Sequence, residues 1–224
     1  MKNIVIASPH SLHDQLEREL GVTFTVTRIK SREALTVEYL KALNPSYVFF
    51  PHWSWIIPDE ILTDFQCVIF HMTDLPYGRG GSPLQNLIVR GKKATVISAI
   101  KCVKELDAGP IYLKMPLTLD GTAKEILDRA STVIQQMIFK IVEGCGELKD
   151  QLGDVVSFKR RVSDDGDLSH LETTTQIYDY IRMLDADNYP CAFIEIDNFR
   201  LEFTSAKHVG ETVEAVVKFH RRDK

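Results

Sequence analysis

Short, uninterrupted apolar runs alternate with helical stretches over the first ninety or so residues, and this alternation limits the fold more than any other feature. "NIVIAS", "SYVFFP" and "CVIFH" hold β-branched and aromatic residues side by side, with no polar position between them. A strand with one wet face alternates polar and apolar residues, so continuous runs point to strands covered on both faces. "TFTVTRI" alternates in period two and reads as a further strand. Leu12, Leu16 and Leu20 form one helical stripe that Gly21 ends, and residues 32–43 predict an amphipathic helix. Strand and helix in turn build a parallel sheet with helical crossovers, so the predicted class is α/β with a Rossmann-like sheet. A short helix follows from about Pro83 to Val89. "ATVISAIKCV" and "AGPIYLKMPLTL" then read as an antiparallel pair around a turn at Leu106–Gly109, which makes the sheet mixed. "TAKEILDRASTVIQQMIFKIVEGC" predicts a long helix opened by Thr122, with Glu125 completing a capping box.

After Gly146 the texture changes. "KDQLGDVVSFKRRVSDDGDLS" is polar and rich in turn formers, so it reads as a connection or border. A helix over Thr173–Leu184, a break at Tyr189-Pro190 and strands near "AFIEI", "LEFTSA" and "VEAVVKF" follow. The expected organisation is a catalytic domain over 1–148 and a small C-terminal α+β appendage over 149–224. With 44% hydrophobic and 26% charged residues and a formal charge of -4, the chain reads as a soluble globular protein without a general pull toward nucleic acid. "MKNIVIASPH" lacks the form of a signal peptide, and no apolar run reaches the eighteen or so residues of a membrane span. Cys67, Cys102, Cys145 and Cys191 lie far apart with no C-x-x-C pair, as in a reduced cytoplasmic protein that binds no metal through them. His10 and His13 lack a third ligand and read as rim or solvated residues.

"VIFHMTDLPYGRGGSPLQNLI" departs from what folding alone requires. It ends a buried strand on His71 and continues through Pro76, Gly78, Gly80, Gly81 and Pro83. Open parallel sheets bind ligands outside the carboxyl ends of their strands, where a histidine can reach them. A lone strand-end histidine is more often a hydrogen-bonded structural residue; the glycines, which allow close backbone approach, shift that balance. In "KELDAGPIY", Asp107 lies in a tight turn, with Gly109 free to take a positive φ. Most such sequences are plain turn formers. A carboxylate beside an imidazole, however, orients the ring and fixes its tautomer.

Together these two segments resemble the signature of the formyltransferases that use 10-formyltetrahydrofolate, a group that includes the methionyl-tRNA, glycinamide ribonucleotide and nucleotide-sugar enzymes. His71 matches the family histidine, Leu75-Pro76-Tyr77-Gly78-Arg79-Gly80 its loop, and Asp107-Ala108-Gly109-Pro110-Ile111 its aspartate motif. "IYDYIRMLDADNYPCAFIEID" is similar to the segment after the family's catalytic domain. The resemblance implies 10-formyltetrahydrofolate as formyl donor and no metal. It implies His71 and Asp107 as catalytic residues, a folate site at Leu75, Pro76, Leu106, Gly109 and Trp53, and an acceptor pocket at Tyr77, Gly78, Arg79, Gly80, Gly81 and Ser82. It also implies a two-fold homodimer through the appendage. The family's asparagine two before the histidine is Ile69 here. His52, in "FFPHWSWIIP", is either a substitute hydrogen-bond donor, and so a third catalytic residue, or rim packing.

Length and charge then bear on the acceptor. "ASPHSLHDQ" has no glycine for a phosphate loop, and the chain reads as too short and too acidic for a transfer-RNA enzyme. Resemblance to the compact sugar-modifying members then implies, as acceptor, the amine of a nucleotide-linked amino sugar, a surface-glycan precursor, with no nucleic-acid partner. A catalytically silent relative that binds folate or nucleotide sugar, or an enzyme acting on another small amine, is the alternative.

Overall fold

Ile4, Val5 and Ile6 are all but fully buried, as their run of β-branched side chains requires of a strand covered on both faces. In the computed structural model, which describes residues 1–187 and 189–222, they form the centre of β1 (Asn3–Ala7). The chain continues through α1 (Asp14–Leu20), β2 (Thr25–Ile29), α2 (Val37–Leu43), β3 (Tyr47–Phe50), α3 (Asp59–Asp64), β4 (Cys67–His71), β5 (Tyr77–Gly80) and α4 (Pro83–Val89). Next come β6 (Ala94–Lys101), β7 (Ile111–Thr118), α5 (Ala123–Glu143), β8 (Val156–Phe158), α6 (Thr174–Arg182), β9 (Ala192–Ile196), β10 (Phe199–Val209) and β11 (Thr212–Arg221). The chain divides into two units. One comprises Met1–Gly80, Thr95–Leu117 and Asp128–Ser157, the other Gly81–Ala94, Thr118–Leu127 and Phe158–Lys224. Residues 188, 223 and 224 of the predicted appendage lie outside the described residues.

The first unit is built on a six-stranded sheet of order β2-β1-β3-β4-β6-β7. β1 runs parallel to β2 and β3, β3 parallel to β4, and β4 antiparallel to β6, so the mixed α/β sheet is as expected. The parallel strands β1, β3 and β4 end at one edge, and β4 ends there on His71, paired with Ser98 of β6. One core cluster gathers Val5, Ala7, Val48, Phe50, Trp53, Ile61 and Cys67, with Ile69 packed against it. Helix α1 starts with a 3-10 turn at Ser11–His13 and passes into Gly21 as its stripe predicts. α2 starts at Val37 rather than 32, because the Thr36 hydroxyl accepts the Tyr39 N–H and caps the helix there. α3 has six residues, too few to show a period in the sequence. Among the described residues no helix is long and apolar enough to cross a membrane.

The loop after β1 is fastened from β2. Arg28, almost wholly buried, donates to the carbonyls of Ser8 (2.8 Å), His13 (2.8 Å) and His10 (2.7 Å). Against it stand three histidines, and His13 is fully buried, not the rim residue its sequence position suggests. Its Nε2 meets Nδ1 of His52 at 2.9 Å, and its Nδ1 meets the Ser131 hydroxyl at 3.3 Å. The His13 and His52 rings stack at 5.1 Å, and His10 meets His52 edge-on. Burial, then the charges of His52, Arg28 and His10, lowers the His13 pKa to about 2. Burial and then His10 lower that of His52 to about 4.

In the second unit, β9, β10 and β11 form an antiparallel meander, with a register shift between Thr204 and Lys207. α6 opens with a reciprocal box between Thr173 and Gln176 and packs on β10. Near its end the buried guanidinium of Arg182 donates to Asp179 (2.7 Å) and to the carbonyls of Leu119 (2.6 Å) and Gly121 (2.8 Å). The predicted Thr122–Glu125 capping box is present, with Thr122 N–H on Glu125 at 2.8 Å and Glu125 N–H on the Thr122 hydroxyl at 3.3 Å.

Two expected outcomes follow from these buried polar groups. Arg182→Met leaves one carboxylate and two carbonyls unpaired inside the second unit, so denaturant unfolding should show a loss of about 3–5 kcal/mol. Arg182→Lys, which keeps the charge but not the fork, should lose less. For the histidines, folded pKa values below the ordinary 6.5 mean that the unfolded chain binds protons first as pH falls. Their contribution is therefore complete above pH 6.5 and declines as pH drops toward about 4 for His52 and about 2 for His13. Between pH 6 and 5 the unfolding free energy should fall with a slope of about two protons from this pair, and His52→Gln should remove about one of them.

Candidate active site

His71 is buried at the end of β4, and hydrogen bonds determine its ring state. Nε2 lies 2.7 Å from the Gly78 carbonyl oxygen, which can only accept, so the proton sits on Nε2. Nδ1 faces Oδ2 of Asp107 at 3.6 Å, and the same oxygen accepts the Gly80 N–H at 2.8 Å. The chain beyond His71 is held by Ser98, whose hydroxyl donates to the Thr73 carbonyl at 2.7 Å and accepts the Leu75 N–H at 3.4 Å. Imidazole and carboxylate, 36 residues apart in sequence, thus come together through the pairing of β4 with β6.

Asp107 itself takes the left-handed conformation, φ 52°. This differs from the expectation that Gly109 supplies the positive φ. Gly109 is needed for space: a Cβ there would stand 1.7 Å from the Lys101 carbonyl oxygen. Arg79, in β5, is not free to roam. Its Nε and Nη2 donate to Gln151 Oε1 at 3.1 and 2.8 Å, and its Nη1 to Glu105 at 3.2 Å. Gln151 lies in the polar stretch that reads in sequence as a connection, and no local pattern marks it.

The remaining predicted residues divide by environment. Leu75 is buried, Pro76 accepts the Val156 N–H through its carbonyl, and Gly78 has a positive φ of 80°. Tyr77 is half-buried. Leu106 stands 66% exposed beside the Asp107 turn. Trp53 is buried against Phe50 and Trp55, and its Nε1 is sealed from solvent without a hydrogen bond, as is Nε2 of His52. Gly81 and Ser82 belong to the second unit. There Gly81 leaves no room for a Cβ beside Arg160, and the Ser82 hydroxyl accepts the Arg161 N–H at 3.1 Å. Among the described residues no group of three or more His, Cys, Asp or Glu side chains is placed to hold a metal.

Comparison with known proteins bears on this geometry directly. Residues 8–142 match the family model described as formyl transferase, and residues 163–220 match that of the methionyl-tRNA formyltransferase C-terminal domain. The methionyl-tRNA formyltransferase of Thermodesulfovibrio yellowstonii is 25% identical over 181 residues, which are 77% of this chain and 58% of that protein. The chain thus spans under two thirds of the length of that relative. A solved structure of a methionyl-tRNA formyltransferase from Clostridium thermocellum is 44% identical and superposes with a TM-score of 0.94, over 99% of this chain and 100% of its own. A sugar N-formyltransferase from Shewanella sp FDAARGOS_354 is 15% identical with a TM-score of 0.70, covering 93% of this chain and 99% of its own, a likeness of fold alone.

These findings correct two expectations, the nucleotide-linked amino sugar as acceptor and the exclusion of a nucleic-acid partner. Both rested on length and net charge. The stretch judged too short for a transfer-RNA enzyme matches that enzyme's C-terminal model, and a sum of charges carries no information about where they lie. The expectation of a formyl transferase holds at the level of the family. A buried histidine and carboxylate at the carboxyl edge of the sheet, within a match over 8–142, leave one assignment: the chain belongs to the formyl transferase family.

Proposed function

We propose that this chain transfers the formyl group of 10-formyltetrahydrofolate to the amino group of methionine carried on its tRNA. The observation that carries this reading is the end-to-end match with the Clostridium thermocellum structure, within which His71 and Asp107 stand paired. The two family matches, at 8–142 and 163–220, support a catalytic domain over 1–148 and a small C-terminal subdomain over 149–224.

Exposed apolar side chains beside the site support a place there for the folate ring. Trp55, Ile56 (91% exposed), Val103 and Leu106 leave large apolar side chains uncovered, on two segments that the Lys104–Asp59 ion pair ties at 2.9 Å. A flat heteroaromatic ring is the natural cover for such side chains. Bound there, the folate supplies an activated formyl group. The acceptor amine forms a bond to the formyl carbon, the bond from that carbon to folate N10 breaks, and the amine's proton ends on N10. For this chain's own part, His71 presents the Nε2–H now bonded to Gly78. Once a formyl oxygen takes the place of that carbonyl, the same N–H stabilises the developing oxyanion. Nδ1 faces the Asp107 carboxylate, so a proton taken from the amine onto that nitrogen is held there in passing beside the anion. His52 stays in the proposal on one condition: its sealed Nε2 serves as a donor only if the ring swings free of His13.

Incubation of the protein with labelled 10-formyltetrahydrofolate and methionyl-tRNA tests the reading. The expected product is formyl-methionyl-tRNA, and absence of label on the charged tRNA would sink it. Asp107→Asn retains an acceptor for Gly80 and tolerates the positive φ while removing the charge. It should lower kcat by about a hundredfold with little change in melting temperature, and His71→Asn, which also takes the donor from the buried Gly78 carbonyl, should lower kcat by a similar factor and reduce stability as well.

A further inference from the structure

Gln151 is a half-buried amide in a stretch with little regular structure, yet all of its hydrogen-bonding capacity is used. Its Nε2 donates to the carbonyls of Asp107 (2.8 Å) and Gly109 (2.9 Å). Its Oε1 accepts both N–H groups of the Arg79 fork, from Nε at 3.1 Å and Nη2 at 2.8 Å. The amide's orientation is not arbitrary, because a guanidinium can only donate and a carbonyl can only accept. Backbone pairing brings it there. Ile111 and Lys149 exchange two hydrogen bonds, 2.7 and 3.0 Å, as an antiparallel bridge, and two residues further on each chain Gly109 comes opposite Gln151.

From this geometry we infer that Gln151 is a positioning residue of the formyl-transfer site, an inference that rests on the proposed function of that site. Asp107 occupies a left-handed conformation that a residue other than glycine seldom adopts, so the turn must be held from outside. Gln151 holds it by two carbonyls. The same amide grips Arg79, whose neighbours in the chain are Gly78, on Nε2 of His71, and Gly80, on the Asp107 carboxylate. One side chain thus sets the distance between the strand that meets His71 and the turn that carries its carboxylate. It touches no reacting atom and acts through Asp107.

Two substitutions separate its halves. Gln151→Glu keeps an acceptor for Arg79 but sets an oxygen against the two turn carbonyls, and Gln151→Met keeps the length and removes both links. The measurement is amide hydrogen exchange by NMR on the full chain without substrate, read at Gly80, whose N–H ends on Asp107. Both variants should exchange Gly80 about tenfold faster, the equivalent of one lost hydrogen bond, while Val5 and Val48 in the core strands keep wild-type rates. Turnover should fall by up to about a hundredfold, as expected when a reacting group is displaced by an ångström, with the acceptor KM within about threefold. Unchanged Gly80 exchange in either folded variant would overturn the inference, because each lacks the donors that grip the turn. If the wild-type protein formylates no methionyl-tRNA, the proposed function fails, while Gly80 exchange still decides whether Gln151 positions Asp107.

Discussion

The backbone of Asp107 is the constraint around which the rest of the site is arranged. A left-handed residue with a side chain persists only where its surroundings over-determine it. Gly109 lies against the Lys101 carbonyl with no room for a Cβ, and the Pro110 carbonyl accepts the Lys101 N–H at 2.9 Å. These contacts fix the turn to the end of β6. Because β6 pairs with β4, they fix it relative to His71 as well. The carboxylate is then aimed by the backbone rather than by a choice among rotamers, and it finds the Gly80 N–H and the imidazole together.

Sheet register supplies the other half. His71 pairs with Ser98, and the fully buried Ser98 hydroxyl satisfies both the Thr73 carbonyl and the Leu75 N–H just beyond the strand. Buried polar groups are costly unless paired, so this hydroxyl keeps the departing chain in one path. That path returns Gly78 to the ring it left seven residues earlier. A polar loop can then close over an imidazole without leaving the ring's N–H unsatisfied.

Elements that follow a local period were legible in the sequence: the four buried or alternating strands, α4, the long α5 with its box, and the final meander. His71 and Asp107 were legible through their motifs. What escaped depends on contacts distant in sequence. Nothing near Gln151 shows that its amide meets Asp107, and nothing near Gly109 distinguishes a need for space from a need for positive φ. Thr36 moved the start of α2 because one side-chain hydrogen bond outweighed the apolar spacing ahead of it. The acceptor was misread for another reason. Chain length and net charge are totals, and recognition depends on which segment is present and where its charges stand. Ile69 illustrates the limit from the opposite side. The sequence shows a missing asparagine, while the structure shows an apolar side chain packed on the cluster of Phe50 and Trp53, where an unpaired amide would be costly.

The histidines of the first unit show how one fold holds the same ring in two electrostatic settings. His13 and His52 bond to each other beside the buried Arg28, whose guanidinium opposes any further positive charge. Either direction of proton donation gives a consistent chain: Ser131 to His13 to His52, or the reverse. Both keep the two rings neutral, and both satisfy the nitrogens between them without a charged partner. His71 sits instead opposite a carboxylate, with one nitrogen on a carbonyl and the other free to meet that anion. The difference follows from where the charged partners lie. β2 delivers a guanidinium to the loop after β1, and the turn after β6 delivers a carboxylate to the end of β4. The ring at the end of β4 thus faces an anion, while the buried pair at the neighbouring strand end locks the loop above it.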